Sequence, residues 1–197
     1  MDIYKNDSDI AIIILHEIYG INQHIKDVCK YYSEQKYDVY CPDLYNGNFS
    51  YGYIEKESAY LNFNENVGFR AFHKINLLIN EVKNQYRKIF IIGFSVGATI
   101  AWLCAESGIC DGVICYYGSR IRDYVSITPL CPTLLLFASK DSFDVCGVVR
   151  DLNKKTNVFT KIFDDSHGFA DKYGGNYSES SSVKAFEMAK KFIEDTK

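Results

Sequence analysis

Six short apolar segments recur along the chain of 197 residues and alternate with longer segments of helical pattern. They are rich in β-branched and aromatic residues, as strands are, and comprise residues 10–15, 37–42, 88–93, 112–117, 133–138 and 158–163. Helices are predicted near residues 22–36, 66–86, 96–107, 145–155 and 180–195. Because the strands are apolar almost throughout, both faces of the sheet should be covered. The pattern predicts an α/β fold, a three-layer α/β/α sandwich around a mostly parallel sheet, with residues 1–197 as a single domain.

The segment 43–65 interrupts this alternation. It is polar and rich in tyrosine, and it should lie above the carboxyl ends of the strands, where ligands bind in sheets of this kind. Two interpretations stay open for it: a plain surface excursion, or a wall of a substrate pocket.

Charge and composition argue against several classes of function. The net charge is −3, and no run of lysine or arginine offers the basic surface typical of a nucleic-acid partner. No apolar stretch is long enough to cross a bilayer, and the first ten residues lack a signal-peptide pattern, so a cytoplasmic protein is expected. Seven cysteines without a C-x-x-C pair predict buried free thiols rather than a zinc site.

The sequence GFSVGA, residues 93–98, directly follows the strand-like run KIFII. A G-x-S-x-G pattern at this place is typical of a nucleophile elbow, in which a strained turn exposes a serine between a strand and a helix. Gly93 and Gly97 would let the strand and the helix approach each other. The helix that follows begins beside the serine, and its N-terminus favours developing negative charge. Ser95 is therefore a candidate nucleophile.

A serine nucleophile needs a base, and the base needs an acid that orients it. His167 is the sole histidine after Ser95, and it stands in SHGFAD behind the last strand-like run. Asp141 directly follows the preceding strand-like run, which gives the order serine, acid, histidine that is typical of α/β hydrolases. The competing acids are Asp144, Asp164 and Asp165.

An oxyanion hole requires two N–H donors. Val96, the residue after the nucleophile, should supply one donor, and the loop HEIYGIN after the first strand should supply the other near Ile18. HEIYG lacks the second histidine of a zinc H-E-x-x-H motif and follows a strand rather than lying in a helix. Neither a metal nor a cofactor is expected.

The chain resembles the dienelactone hydrolase family of α/β hydrolases over nearly its full length. The resemblance rests on HEIYGIN, CPDLY, GFSVGA, DGVICYYG, PTLLLFASKD and SHGFA. It implies an α/β-hydrolase fold without a large cap domain, acting on esters or lactones. It also implies that Ser95, Asp141 and His167 are the catalytic residues and that Ile18 and Val96 are the oxyanion donors.

Three departures bear on the substrate that the resemblance implies. The best-known members use a cysteine nucleophile, whose deprotonation the counterpart of Glu17 assists; with a serine here, Glu17 either takes part in the chemistry or only holds its loop. The family binds a substrate carboxylate with two arginines, but this chain has Lys56 and Asp171 at those positions. An acid there should repel the acidic lactone that gives the family its name. Tyr60 and Phe63 fit positions of pocket aromatics.

The favoured hypothesis is a serine hydrolase that cleaves a small carboxylic ester, lactone or thioester through an acyl-enzyme on Ser95, as a monomer or a small homo-oligomer. One alternative is a small-molecule binding protein that keeps the fold without the chemistry. Another is a nucleotide- or flavin-binding domain, although no G-x-G-x-x-G follows the first strand.

Overall fold

A seven-stranded sheet forms the centre of the computed structural model, which describes residues 1–47 and 50–196. The strands are β1 (Asp2–Tyr4), β2 (Ile10–Leu15), β3 (Asp38–Cys41), β4 (Lys88–Phe94), β5 (Gly112–Tyr116), β6 (Thr133–Lys140) and β7 (Val158–Ser166). Their order across the sheet is β1-β3-β2-β4-β5-β6-β7, and each neighbouring pair is parallel except β1 with β3. The predicted α/β fold with a mostly parallel sheet is confirmed.

Helices pack on both faces of the sheet. The described residues form α1 (Gln23–Glu34), α2 (Lys56–Asn62), α3 (Phe72–Val82), α4 (Val96–Cys104), α5 (Val145–Leu152) and α6 (Glu179–Thr196). Helices α3, α4 and α5 share one apolar core with alternate residues of β2, and α1 and α6 share the core on the opposite face with the residues between. Successive strand residues point to opposite faces, which explains why these strands are apolar throughout. None of the described helices is long and apolar enough to span a membrane.

Three features of the fold differ from the sequence-based prediction. Strand β1 was not predicted, because three residues are too few to show a period. The segment 43–65 contains α2 and the start of a π-helical turn, Phe63–Val67; its residues Asn48 and Phe49 lie outside the described part. The helix predicted over 66–86 is shorter, since α3 is flanked by 3-10 turns and is separated from the π-helical turn by Gly68 at φ 61°.

The register of the parallel strands brings their carboxyl ends to one edge of the sheet. Leu15 at the end of β2 pairs with Gly93 in β4. Lys140 at the end of β6 pairs with Ser166 at the end of β7. The residues that follow β2, β4, β6 and β7 therefore lie close together, and they include each of the predicted catalytic residues.

The seven cysteines are all free thiols. Six of them are buried, in agreement with the prediction, whereas Cys146 at the start of α5 is exposed. Packing in the apolar core accounts for the six buried cysteines.

Candidate active site

Ser95 occupies a strained turn between β4 and α4. Its backbone has φ 53° and ψ −113°, a combination that costs free energy in any residue with a side chain. Two backbone hydrogen bonds fix the turn: the Ser95 amide donates to the carbonyl of Tyr116 at 3.0 Å, and the Thr99 amide donates to the carbonyl of Ser95 at 3.2 Å. This is the geometry of a nucleophile elbow.

The two glycines of the motif are required by close backbone contacts. A Cβ atom on Gly93 would lie 2.2 Å from the carbonyl oxygen of Gly97, and a Cβ on Gly97 would lie 2.4 Å from the carbonyl oxygen of Leu15. Both contacts are with backbone atoms, which cannot turn aside as the end of a flexible side chain could. The close approach of α4 to β4 and β2 therefore depends on both glycines.

His167 connects Ser95 to Asp141. Its Nε2 lies 2.9 Å from Ser95 Oγ, and its Nδ1 lies 2.8 Å from Asp141 Oδ2. The Asn176 amide group donates to the backbone carbonyl of His167 at 2.9 Å, and the imidazole packs on the Tyr117 ring with centroids 5.0 Å apart. An Nδ1–H directed at the carboxylate leaves Nε2 free to accept the serine proton. The structure thus brings the three candidate residues into one hydrogen-bonded chain.

Asp141 is the one candidate acid in contact with His167. Burial by itself would raise the pKa of Asp141, but hydrogen bonds from His167 and from Ser142 outweigh burial and lower it. The carboxylates of the other candidates bind elsewhere: Asp144 accepts from an amide in the first turn of α5, Asp164 accepts from a serine and forms an ion pair with a lysine of β6, and Asp165 accepts from a serine of α6. The geometry therefore favours Asp141 as the acid that keeps the imidazole oriented.

Two hydrogen bonds fix the peptide group between Glu17 and Ile18 in the loop after β2. His16 donates from Nδ1 to the carbonyl of Glu17 at 2.6 Å, and the Gly20 amide donates to the same oxygen at 3.2 Å. Because the peptide is planar and trans, the N–H of Ile18 points away from that carbonyl. The Leu44 amide donates to Nε2 of His16 at 3.0 Å, which assigns the imidazole proton to Nδ1.

Tyr45 holds the same loop from its other side. Its hydroxyl donates to the carbonyl of Ile18 at 2.5 Å, and its ring stacks on the His16 imidazole at 5.5 Å. No motif in the sequence assigns a role to His16 or Tyr45. The signal that could have revealed them is their position directly after β2 and soon after β3, at the functional edge of the sheet.

Glu17 is buried beside the catalytic residues. Burial is the largest cause of a rise in the pKa of Glu17 from its ordinary 4.5 to about 7; the charge of Asp171 adds to this rise, whereas His167 opposes it. The Tyr117 hydroxyl faces the carboxyl group. Neither that hydroxyl nor Oε1 of Glu17 completes a hydrogen bond of ordinary geometry within the described residues. Glu17 is therefore largely protonated below neutral pH.

A cavity of about 520 Å³ opens above the serine. Ser95, His167 and Asp141 line it, together with Ile18 and Val96, the predicted oxyanion donors. Among the residues predicted to bind substrate, Lys56, Tyr60 and Asp171 line the cavity as well. Its further described lining residues are Glu17, Tyr19, Tyr53, Ser119, Arg120, Arg122, Ser142, Gly168, Gly174, Gly175 and Asn176.

Phe63 does not lie where the sequence-based prediction placed it. Its side chain is fully buried in the core on the face of α3, α4 and α5, and its ring contacts Phe69 edge to face at 5.3 Å. The prediction that Phe63 lines the pocket is therefore wrong. Phe63 lies four residues after Ala59, which is also fully buried, so the two side chains share the inward face of this helix, whereas Tyr60 lines the cavity.

Asp171 is held by the protein itself. The Tyr53 hydroxyl donates to Oδ2 at 2.6 Å, the Tyr173 amide donates to Oδ1 at 2.9 Å, and Nδ1 of His24 lies 3.8 Å from Oδ1. Its residue surface is only 2% exposed. The carboxylate therefore anchors Tyr53, a residue of the segment 43–65, against the wall of the cavity, and that segment forms part of the pocket rather than a plain excursion.

Comparison with known proteins agrees with this architecture. The dienelactone hydrolase family model matches residues 3–196. The uncharacterized protein YczH of Bacillus subtilis (strain 168) is 37% identical over 183 residues, which cover 91% of this chain and 90% of YczH. The carboxymethylenebutenolidase of Pseudomonas putida is 24% identical over 144 residues, which cover 68% of this chain and 61% of that enzyme. Among solved structures, a proposed dienelactone hydrolase of Klebsiella pneumoniae superposes with a TM-score of 0.76 at 19% identity, covering 92% of this chain and 85% of that one.

Proposed function

Because the chain belongs to the dienelactone hydrolase family, whose enzymes act on ester bonds, we propose that it cleaves a small carboxylic ester, lactone or thioester through an acyl-enzyme on Ser95. One observation carries the proposal: the unbroken chain of hydrogen bonds from Ser95 Oγ through His167 to Asp141, at 2.9 and 2.8 Å. The strained backbone of Ser95 supports it, since such strain is retained where function requires it.

Acylation uses the geometry of the apo site directly. Ser95 Oγ attacks the carbonyl carbon while Nε2 of His167 takes the hydroxyl proton, and Asp141 stabilises the imidazolium that forms. The negative charge on the carbonyl oxygen is bound by the amides of Val96 and Ile18. The Val96 amide belongs to the first turn of α4, where N–H groups lack intrahelical partners. His167 then returns the proton to the leaving alcohol or thiol.

Deacylation repeats these steps with water. His167 removes a proton from a water molecule, whose oxygen attacks the acyl carbon, and the proton then passes to Ser95 as the carboxylic acid leaves. Every group in this scheme belongs to the chain or to the solvent, so the reaction proceeds without a cofactor. We also propose that the enzyme is cytoplasmic and that it is a monomer or a small homo-oligomer.

The experiment that tests the proposal combines labelling and turnover. An alkyl fluorophosphonate should add to wild-type protein once, as measured by intact mass, and should abolish hydrolysis of p-nitrophenyl acetate. Ser95→Ala should prevent labelling and lower kcat by about 10⁴-fold or more. Ser107→Ala is the matched control, because Ser107 lies in the turn after α4, at the opposite end of that helix from Ser95.

Labelling and turnover that survive in Ser95→Ala would refute the serine mechanism. A wild-type protein that shows neither, while it binds small esters without cleaving them, would favour a binding protein on the same fold instead. Equilibrium dialysis with an intact ester measures this binding.

A further inference from the structure

A second cavity adjoins the loop after β7. Helices α1 and α6 form most of this α1/α6 cavity, and its volume is about 330 Å³. Ala170 and Lys172 line it, whereas Asp171 between them lines the catalytic cavity. The two cavities share none of their described lining residues. The α1/α6 cavity is therefore distinct from the catalytic cavity, although one loop contributes to both.

The wall of the α1/α6 cavity is mainly apolar. Its apolar lining consists of Val28, Tyr31, Ala170, Tyr177, Val183 and Phe186. The rings of Tyr31 and Phe186 contact each other edge to face, with centroids 5.4 Å apart, where α1 meets α6. Sites for small molecules are typically concave, mostly apolar and about 300 to 1,000 Å³ in volume, and aromatic walls favour an aromatic ring. The cavity therefore has the size and the surface to hold a small apolar molecule.

His24 of α1 adds a buried polar group to this apolar wall. Its side chain lines the cavity, and only 3% of the residue surface is exposed. Within the described residues, Nε2 of His24 has no hydrogen-bond partner. Leaving a buried polar atom unpaired costs free energy, which a bound molecule that pairs with the atom would recover. This nitrogen therefore indicates a ligand that has a polar group as well as an apolar body.

The surroundings of His24 determine which polar group it can bind. Burial lowers the pKa of His24 below its ordinary 6.5, and the charge of Asp171 opposes this decrease without cancelling it. The imidazole is therefore uncharged at neutral pH and carries a proton on one nitrogen only. Nδ1 lies 3.8 Å from Oδ1 of Asp171, and a carboxylate on that side favours the proton on Nδ1. Nε2 is then a hydrogen-bond acceptor, so its partner must be a donor.

The charged residues at the α1/α6 cavity disfavour an anion. Asp27 is paired with Lys172, whose Nζ lies 2.6 Å from Oδ2 of Asp27. Glu187 also lines the cavity, and no ion pair within residues 1–47 and 50–196 involves it. The lining therefore carries a negative charge that no cation compensates, and this charge would repel a negatively charged ligand.

We infer that the α1/α6 cavity binds a small uncharged molecule with an aromatic body and a hydroxyl group, a phenol in chemical class. The hydroxyl donates to Nε2 of His24, and the ring packs against the apolar lining from α1 and α6. This inference does not depend on the proposed esterase function, because its test measures binding without an ester.

Two isomers of equal size test this inference: 4-ethylphenol, which carries a hydroxyl donor, and 4-methylanisole, which carries only an ether oxygen. A ligand-observed NMR titration at pH 7 gives the dissociation constant of each isomer for the wild-type protein. 4-Ethylphenol should bind about tenfold more tightly, the effect of one hydrogen bond to a buried acceptor. The anion 4-methylbenzoate should bind more weakly than either isomer. A wild-type protein that binds neither isomer, binds both equally, or binds 4-methylbenzoate most tightly would overturn the inference.

His24→Phe removes the acceptor and keeps an aromatic ring. In this variant the preference for 4-ethylphenol should fall to within about twofold, because neither isomer finds a partner for its oxygen. His73→Phe is the matched control, since His73 is an exposed residue of α3, which packs on the opposite face of the sheet. A tenfold preference that survives in His24→Phe would overturn the assignment of His24 as the acceptor.

Val183→Trp tests the location without a buried substitution, because Val183 of α6 is 51% exposed. A larger side chain there should occupy part of the cavity and weaken the binding of both isomers about tenfold or more. Leu77→Trp is the matched control, since Leu77 of α3 is 63% exposed and lines neither cavity. Binding that Val183→Trp leaves unchanged would place the ligand outside the α1/α6 cavity and overturn the inference.

Discussion

Ser95 and Asp171 line the same cavity, yet they are held in different ways. Ser95 follows a central strand directly, and its position is set by sheet hydrogen bonds and by glycine contacts at backbone distance. Asp171 lies in the turns after β7, and its position depends on side chains such as Tyr53. The candidate catalytic residues follow strands of the sheet, whereas the cavity wall at Asp171 depends on contacts between side chains. Chemistry and substrate choice are therefore expected to respond to different mutations.

The largest effect should come from a substitution in the strand-end group, which consists of Ser95, Asp141 and His167, the candidate catalytic residues that follow β4, β6 and β7. Asp141→Asn should lower kcat about 10³- to 10⁴-fold, because the amide no longer holds the imidazole in the tautomer that accepts a proton. Asp164→Asn is the matched control, since Asp164 contacts Ser139 and Lys140 instead. The measurement is steady-state hydrolysis of p-nitrophenyl acetate. Equal losses in the two variants would refute the assignment of Asp141.

The next effect concerns the elbow itself. Gly97→Ala should lower the free energy of unfolding by about 3 kcal/mol or more, because its Cβ would lie 2.4 Å from the carbonyl oxygen of Leu15. Gly175→Ala is the control for stability, since a Cβ there meets no atom within 4 Å. Urea unfolding followed by circular dichroism gives both values. A Gly97→Ala protein as stable as wild type would show that α4 can move away from β2.

The third prediction tests the buried acid that adjoins the catalytic residues. An unfolded chain loses the Glu17 proton near pH 4.5, whereas the folded protein keeps it until about pH 7. Between these two pH values the folded state binds more protons than the unfolded chain. The contribution of Glu17 to the free energy of unfolding therefore falls as pH rises, by up to about 3 kcal/mol, and it is constant above pH 7.

Glu17→Gln removes that titration and keeps the shape of the side chain. The difference in unfolding free energy between Glu17→Gln and wild type should grow in favour of the variant from pH 4.5 to 7. Urea unfolding at half-unit pH intervals measures it. A difference that stays flat over this range would mean that Glu17 titrates normally in the folded protein.

The smallest effect should arise at the cavity wall. Tyr53→Phe removes the hydrogen bond to Asp171 and should change KM several-fold while kcat changes by less than about twofold, because the strand-end group is untouched. Tyr173→Phe is the matched control. It also removes a hydroxyl that donates to a carboxylate, that of Asp27 at 2.7 Å, but Tyr173 does not belong to the described cavity lining. If Tyr53→Phe lowered kcat as much as Asp141→Asn does, the cavity wall and the strand-end group would not respond separately to mutation.

Much of the fold and the catalytic candidates could be predicted from the sequence because they depend on local pattern and chain order. Runs that are apolar on both faces predict a covered parallel sheet, and in such a sheet the residues after the strands meet at one edge. Ser95, Asp141 and His167 were identified by that rule, and the described structure places them within hydrogen-bond distance. The short strand β1 lacked any such pattern.

The residues of the cavity wall could not be predicted in the same way. Phe63 and Tyr60 are both aromatic and three residues apart, and the sequence alone does not reveal that Phe63 packs in the core while Tyr60 lines the cavity. The contact between Tyr53 and Asp171 joins residues 118 positions apart, and no local pattern encodes it. The same holds for His16 and Tyr45, whose role follows from the direction of one peptide group.

The sequence by itself therefore determined the layered fold, the elbow and the order of the candidate catalytic residues, because strand periodicity and tight glycine turns are local properties of the chain. Only the tertiary structure decided which acid faces His167, where Phe63 points, and that Asp171 binds Tyr53 while Arg120 and Arg122 line the cavity. These outcomes depend on distances between segments that are remote in sequence, and such distances are fixed only when the helices and loops pack against the sheet.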